Sequence, residues 1–139
     1  MDRKAFLSSI GLSAGTIFIA SCLGGCSKGT ANGTVTAPTV DFNLDLSQPA
    51  NAALNTAGGY LYANGVIVAK TLAGNIIAVS QACTHQGVTV QFVKANTYFY
   101  CPSHGATFSD TGAVTGGPAN SPLKQYAVSV NGSIISIKG

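Results

Sequence analysis

The sequence predicts an all-β fold, a small antiparallel sandwich or barrel, and three features of the chain carry that prediction. Apolar residues recur at every second position in short runs, Asn-Gly pairs separate several of those runs, and no segment sustains a 3.6-residue apolar period. The first run is Val40, Phe42, Leu44 and Leu46 alternating with Asp41, Asn43 and Asp45, a strand with one wet face. Pro49–Asn55 is compatible with a short helix. Tyr60-Leu61-Tyr62 and Val66-Ile67-Val68 flank Asn64-Gly65, a pair whose ease with positive φ makes it the strongest short hairpin signal. Ile76-Ile77-Ala78-Val79 follows a Gly74-Asn75 turn, and Phe92-Val93 and Tyr98-Phe99-Tyr100 flank another turn at Lys94-Ala95-Asn96. Tyr126-Ala127-Val128-Ser129-Val130 and Ile134-Ile135-Ser136-Ile137 close the chain around Asn131-Gly132. No internal repeat is visible.

Composition narrows the function classes. At 139 residues and 14.0 kDa there is room for one domain with a modest core. The chain is 46% hydrophobic and only 8% charged, which excludes a disordered chain. Lys70, Lys94, Lys124 and Lys138 are scattered singly, so no basic face for nucleic acid exists. There is no glutamate, and Asp41, Asp45 and Asp110 are the only acids beyond Asp2, which argues against paired-carboxylate catalysis. The 17 glycines, four cysteines and two histidines remain to be explained.

The N-terminal stretch reads as an address. Arg3 and Lys4 precede an uncharged, apolar segment that runs to Ala20 and ends in small residues, the pattern of a secretory signal. Ile19-Ala20-Ser21-Cys22 resembles the lipobox of bacterial lipoproteins, with Leu23-Gly24-Gly25-Cys26 an alternative match. The segment is thus expected to be a signal peptide over 1–22, with Cys22 or alternatively Cys26 lipidated, on an exported bacterial protein facing the periplasm or cell exterior. A retained membrane anchor over 5–27 is the competing reading, weakened by the many Ser, Thr and Gly residues. Asp2-Arg3-Lys4-Ala5-Phe6-Leu7 also resembles a twin-arginine export motif, with Lys4 in place of the second arginine. Residues 23–39 lack periodicity and read as a flexible linker, leaving 40–139 as the folded domain.

Cys83-Thr84-His85 and, after fifteen residues, Cys101-Pro102-Ser103-His104 hold the only two histidines, each beside a cysteine and each ahead of a glycine, Gly87 or Gly105. Four such donors from two loops at a sheet end can converge on a metal centre. A Cys83–Cys101 disulfide would leave both histidines unexplained. Structural zinc ordinarily uses Cys-x2-4-Cys and His-x3-5-His pairs, which do not occur here. A nucleophilic cysteine with a histidine base lacks a third group to orient it and leaves the doubling without a reason.

Gln81-Ala82-Cys83-Thr84-His85-Gln86-Gly87 and Cys101-Pro102-Ser103-His104-Gly105 resemble, in pattern and separation, the two cluster-binding boxes of Rieske iron–sulfur proteins. The likeness continues through Ala106-Thr107-Phe108-Ser109, Thr111-Gly112-Ala113-Val114 and Gly116-Gly117-Pro118-Ala119 to Leu123-Lys124-Gln125-Tyr126. The resemblance implies a Rieske-type antiparallel β-sandwich or barrel with a cluster-binding subdomain of two loops. It implies one [2Fe-2S] cluster per chain, with one iron held by Cys83 and Cys101 and the other by His85 and His104. Gly87, Ser103, Gly105, Gly117 and Pro118 would form its immediate surroundings.

Rieske proteins of quinol-oxidising complexes usually carry a disulfide between the loops, at positions that are Val88 and Ser103 here. Their potential-raising Ser and Tyr hydroxyls correspond to Ala106 and Phe108 in this chain, which implies a potential in the lower part of the range of about −150 to +300 mV. The function expected is electron transfer by an exported, membrane-tethered carrier, not a stand-alone enzyme. Its partners would be redox proteins: a cytochrome, a quinol-oxidising complex or a molybdenum oxidase. The alternative is an iron–sulfur subunit of a quinol–cytochrome c reductase-like or arsenite oxidase-like complex, and the last is a zinc-stabilised binding module.

Overall fold

A computed structural model describes residues 36–139; the expected signal peptide, Cys22, Cys26 and the linker up to residue 35 lie outside the described residues. The strands are β1 (Asp41–Asp45), β2 (Tyr60–Ala63), β3 (Val66–Lys70), β4 (Ile76–Ser80), β5 (Gln91–Val93), β6 (Tyr98–Tyr100), β7 (Thr107–Ser109), β8 (Val114–Gly116), β9 (Ala127–Asn131) and β10 (Ile134–Lys138). They form three antiparallel sheets, ordered β1-β10-β9, β2-β3-β4 and β5-β6-β7-β8. Pro49–Asn55 is a 3-10 turn, held to the end of β1 by Asn51 Nδ2 donating to the Asp45 carbonyl at 2.9 Å. Among the described residues no helix is long and apolar enough to cross a membrane.

The central sheet explains why the Val66–Ala69 run is apolar without alternation. Successive side chains point to opposite faces, and here both faces are covered. Val66, Val68 and Ala78 pack into one core with Leu44, Leu54, Tyr126, Ile135 and Ile137 from the terminal sheet side. Ile67, Ala69 and Val79 pack into a second core with Phe92, Phe99 and Phe108 of the four-stranded sheet. A strand buried on both sides needs apolar residues at every position. The second core also contains Cys83 and Cys101.

The hairpin turns follow their sequence signals. Asn64 and Gly65 both take positive φ, 51° and 81°, as the two central residues of a tight β2–β3 turn require. The β7–β8 hairpin was not announced by any alternation, since three-residue strands are too short to show one.

The start of the described chain is fastened. The Pro38 carbonyl accepts from Tyr126 Oη at 2.7 Å and from Lys124 Nζ at 3.2 Å. Val40 and Gly139 exchange backbone hydrogen bonds, and the Pro38 ring lies over Gly65, where an added Cβ would come within 2.9 Å of it.

Candidate metal centre

The two Cys/His loops have one backbone design. Cys83 N–H donates to the Val88 carbonyl at 2.8 Å and Gly87 N–H returns to the Cys83 carbonyl at 2.7 Å. In the second loop Cys101 N–H donates to Ala106 at 2.8 Å and Gly105 N–H returns to Cys101 at 3.0 Å. Gly87 and Gly105 have φ of 74° and 78°, a left-handed conformation that glycine alone adopts at little cost. Each cysteine therefore opens a closed loop whose fifth residue must be glycine, which is why the two boxes share that spacing. The histidine sits two residues after the cysteine in the first loop and three after it in the second.

The loops bring the four expected ligands together as two pairs. Cys83 and Cys101 are free thiols, buried at 0% and 2% exposure among the apolar side chains of the second core. Burial pushes the Cys83 thiol pKa up, and the neighbouring Cys101 thiol adds to that. Backbone N–H groups of His85 and Gln86 directed at the sulfur pull the other way. Outside the thiols, the His85 and His104 rings stand edge to face with centroids 4.9 Å apart. His85 is half-buried and His104 exposed.

His85 Nδ1 is buried with no hydrogen-bond partner, the one such side-chain nitrogen or oxygen among the described residues. A buried polar atom without a partner costs about 1–3 kcal/mol, so a native fold keeps it only for a reason. A metal ion accepting the imidazole lone pair supplies that reason. Among the described residues no group of three or more His, Cys, Asp or Glu side chains is arranged to hold a single ion. Two thiols inside and two imidazoles outside fit instead a binuclear cluster with two protein ligands on each iron.

A third loop covers the centre. Ala119 is buried in the core that holds the thiols, and the preceding Gly117–Pro118 peptide is cis, with both residues exposed. Thr84 Oγ1 donates to the Ser121 carbonyl at 2.6 Å, which ties the first loop to the third. Leu123 N–H donates to Gly112 at 2.8 Å and fixes where the third loop ends. Sequence reasoning passed over Thr84 and Ser121; the one available signal was a hydroxyl residue between Cys83 and His85.

The positions that set this chain apart are equally well defined. Val88 packs against the second core and Ser103 Oγ lies 3.0 Å from His104 Nδ1, so neither position offers a sulfur for a bridge. Ala106 and Phe108 are buried at 1% and 0% exposure, and neither has a hydroxyl to direct at a cluster sulfur.

The likeness to known proteins covers most of the described chain. The Rieske [2Fe-2S] domain profile matches residues 45–127. The cytochrome b6-f complex iron-sulfur subunit of Chlorobaculum thiosulfatiphilum is 39% identical over 71 residues, 51% of this chain and 39% of that protein. Its counterpart from Chlorobaculum tepidum is 35% identical over 89 residues, 63% of this chain and 49% of that protein. The matched region thus spans less than half the length of these curated relatives. Among solved structures, the cyanobacterial plasma membrane Rieske protein from Synechocystis superposes with a TM-score of 0.57 at 37% identity, covering 70% of this chain and 99% of that one. The ferredoxin of carbazole 1,9a-dioxygenase from Nocardioides aromaticivorans superposes with a TM-score of 0.54 at 25% identity, covering 74% and 97%. With more than half of its length under one domain profile and with this fold around paired thiols and imidazoles, the chain belongs to the Rieske [2Fe-2S] domain family, electron-transfer proteins built around a [2Fe-2S] cluster.

Proposed function

We propose that Cys83 and Cys101 ligate one iron and His85 and His104 the other, in an exported carrier tethered to the membrane by lipid on Cys22, or alternatively Cys26, that passes single electrons between larger redox proteins. The observation that carries the ligand assignment is the unpartnered, buried His85 Nδ1, with a second histidine ring beside His85 and two free buried thiols in the same pair of loops. When bound, the cluster takes up and releases one electron at a time. The chain's own residues set the conditions for that exchange. The N–H groups of His85 and Gln86 stabilise negative charge at the Cys83 sulfur. Val79, Phe99 and Phe108 keep water from the thiol side. Gly87 and Gly105 let the loops close around the centre, while Ser103, Gly117 and Pro118 border it. The exposed His104 places one end of the centre at the surface, within reach of a docked partner.

A second reading is an iron–sulfur subunit of a quinol-oxidising membrane complex, favoured by the similarity to cytochrome b6-f subunits. Val88 and Ser103, which cannot form an inter-loop bridge, support the carrier instead.

The test is low-temperature EPR of the dithionite-reduced full-length protein purified from membranes, with iron and zinc analysis. The expected result is a rhombic signal of low average g value, lost in Cys83→Ser and in His85→Ser. An EPR-silent, zinc-loaded protein from a host that assembles a control Rieske cluster would overturn the assignment. Mass spectrometry of the mature N-terminus reads the lipid site, and copurification of a cytochrome would favour the complex over the carrier.

A further inference from the structure

The three loops around the centre share a property that concerns the partner. From Thr71 to Val93, from Ala95 to Ser109 and from Thr111 to Leu123 no residue carries a charge. These stretches contain every loop at the centre, and Gln86, Pro102, Ser103, His104, Pro118 and Asn120 are exposed there.

The charged side chains of the described residues are accounted for elsewhere. Lys138 pairs with Asp41 at 3.4 Å across β10 and β1. Asp45 accepts from Ser47, and Lys70 Nζ donates to the Asn55 carbonyl at 3.4 Å. The Lys94 stem covers Gly58. Asp110 lies in the β7–β8 turn, at the opposite end of β7 from the Cys101 loop. Lys124, nearest in sequence to the third loop, is half-buried and turned over the Tyr126 ring onto the Pro38 carbonyl. The balance over the described residues is four lysines against three aspartates, so the background field is also weak.

Charged redox proteins are commonly brought together by complementary patches, which raise the association rate and make it fall with salt. No side-chain charge at this tip takes part in such steering, which leaves only the single negative charge that a reduced cluster on two thiolates and two neutral imidazoles would carry. We infer that the electron leaves through a face of the three loops that has no charged side chain, and that this face fits a one-electron redox protein whose own cofactor opens on a patch without charged side chains, with recognition by shape and hydrogen bonding. The Ser, Asn, Gln and Pro side chains of the rim suit such a surface, because an ionic partner patch would lose its water here without gaining a counter-charge. This inference rests on the proposed ligand set, since it takes the histidine end as the exit.

The test is stopped-flow oxidation of the reduced full-length holoprotein, in an uncharged detergent, by ferricyanide and separately by tris(phenanthroline)cobalt(III). One electron passes to one oxidant in each case. Between low ionic strength and about 0.5 M, where screening is almost complete, either rate is expected to change by no more than about tenfold, the effect of the one negative charge of the reduced cluster on a triply charged oxidant. Asn120→Asp is expected to steepen that slope several-fold and Asn120→Lys to flatten it with the same oxidant, while Asn43→Lys on the distant face of β1 leaves it close to that of the unaltered protein. Salt dependences of about a hundredfold or more in the unaltered protein, beyond what one cluster charge imposes, would overturn the inference. So would Asn120 variants without effect, which would place the exit elsewhere. EPR on the same samples separates these outcomes from a failure of the ligand assignment, which would remove the Rieske signal itself.

Discussion

A methyl group added at Gly112 would lie 2.6 Å from the Leu123 carbonyl oxygen, on a backbone already at φ 86°. Gly112→Ala therefore combines a left-handed penalty of about 1–2 kcal/mol with a clash against backbone that cannot rotate away. The expected outcome is a clear fall in the urea midpoint together with faster cluster loss, because the displaced Leu123 ends the covering loop. At Ala106 and Phe108 the direction reverses, since both side chains are buried in the core of the thiols and neither carries a hydroxyl. Ala106→Ser or Phe108→Tyr that aims a hydroxyl at sulfur is expected to raise the midpoint potential. One hydrogen bond favouring the reduced state by about 1 kcal/mol corresponds to roughly 40 mV for a one-electron couple. A redox titration in which neither variant moves upward would remove that explanation. At this scale the two glycine-closed loops were legible, because Cys83, His85 and Gly87, and again Cys101, His104 and Gly105, fall within five residues. The Thr84–Ser121 bond was not, because its acceptor is a backbone carbonyl 37 positions away that any residue could supply.

Two tyrosines join elements by the same device, a ring hydroxyl that donates to a backbone carbonyl, Tyr126 from a buried ring and Tyr62 from a largely exposed one. Tyr62 Oη reaches Val90 at 2.8 Å and Tyr126 Oη reaches Pro38 at 2.7 Å. Burial raises both pKa values above the ordinary 10.0, and for Tyr62 the neighbouring Tyr60 adds to the rise. A folded-state pKa above the unfolded one means that the stabilisation is complete below the unfolded value. It is then lost as pH climbs through the folded value. Urea midpoints are therefore expected to hold from pH 8 to pH 10 and to decline above, with a shallower alkaline decline in Tyr126→Phe. Equal slopes in the variant and the unaltered chain would exclude Tyr126 as a cause. The element scale also marks where sequence reading ended. β1 to β6, β9 and β10 announced themselves by alternation or by flanking turns. β7 and β8 did not, because Thr107–Ser109 and Val114–Gly116 owe their strand form to pairing with β6 and with each other.

The molecule as a whole is two cores with one sheet between them. Ile67 and Val79 belong to the core of the thiols, and Val66 and Ala78, their neighbours in β3 and β4, to the other. Removal of the cluster is expected to act unequally on the two. Amide protection should fall at Cys83, Gly87, Cys101 and Gly105, whose hydrogen bonds close the ligand loops, and persist at Ile135 and Ile137 in the remote core. Uniform loss of protection on chelation, read by hydrogen exchange, would mean that the cores fold as one unit. That division was not visible in the alternation of β1, which shows one wet face and nothing of a second core.

If Cys22 carries the lipid proposed above, the fastening of Pro38 would limit the leash, because no more than the sixteen peptide steps from Cys22 to Pro38 could pay out between membrane and domain. Fully drawn, they span no more than about 55 Å. Pro38 also lies over Gly65, whose carbonyl takes the Gln81 N–H at 3.0 Å, two residues before Cys83. Such a leash would be attached at the base of the redox loops, and a donor or acceptor served by a protein held in that way would stand within the same reach of the bilayer.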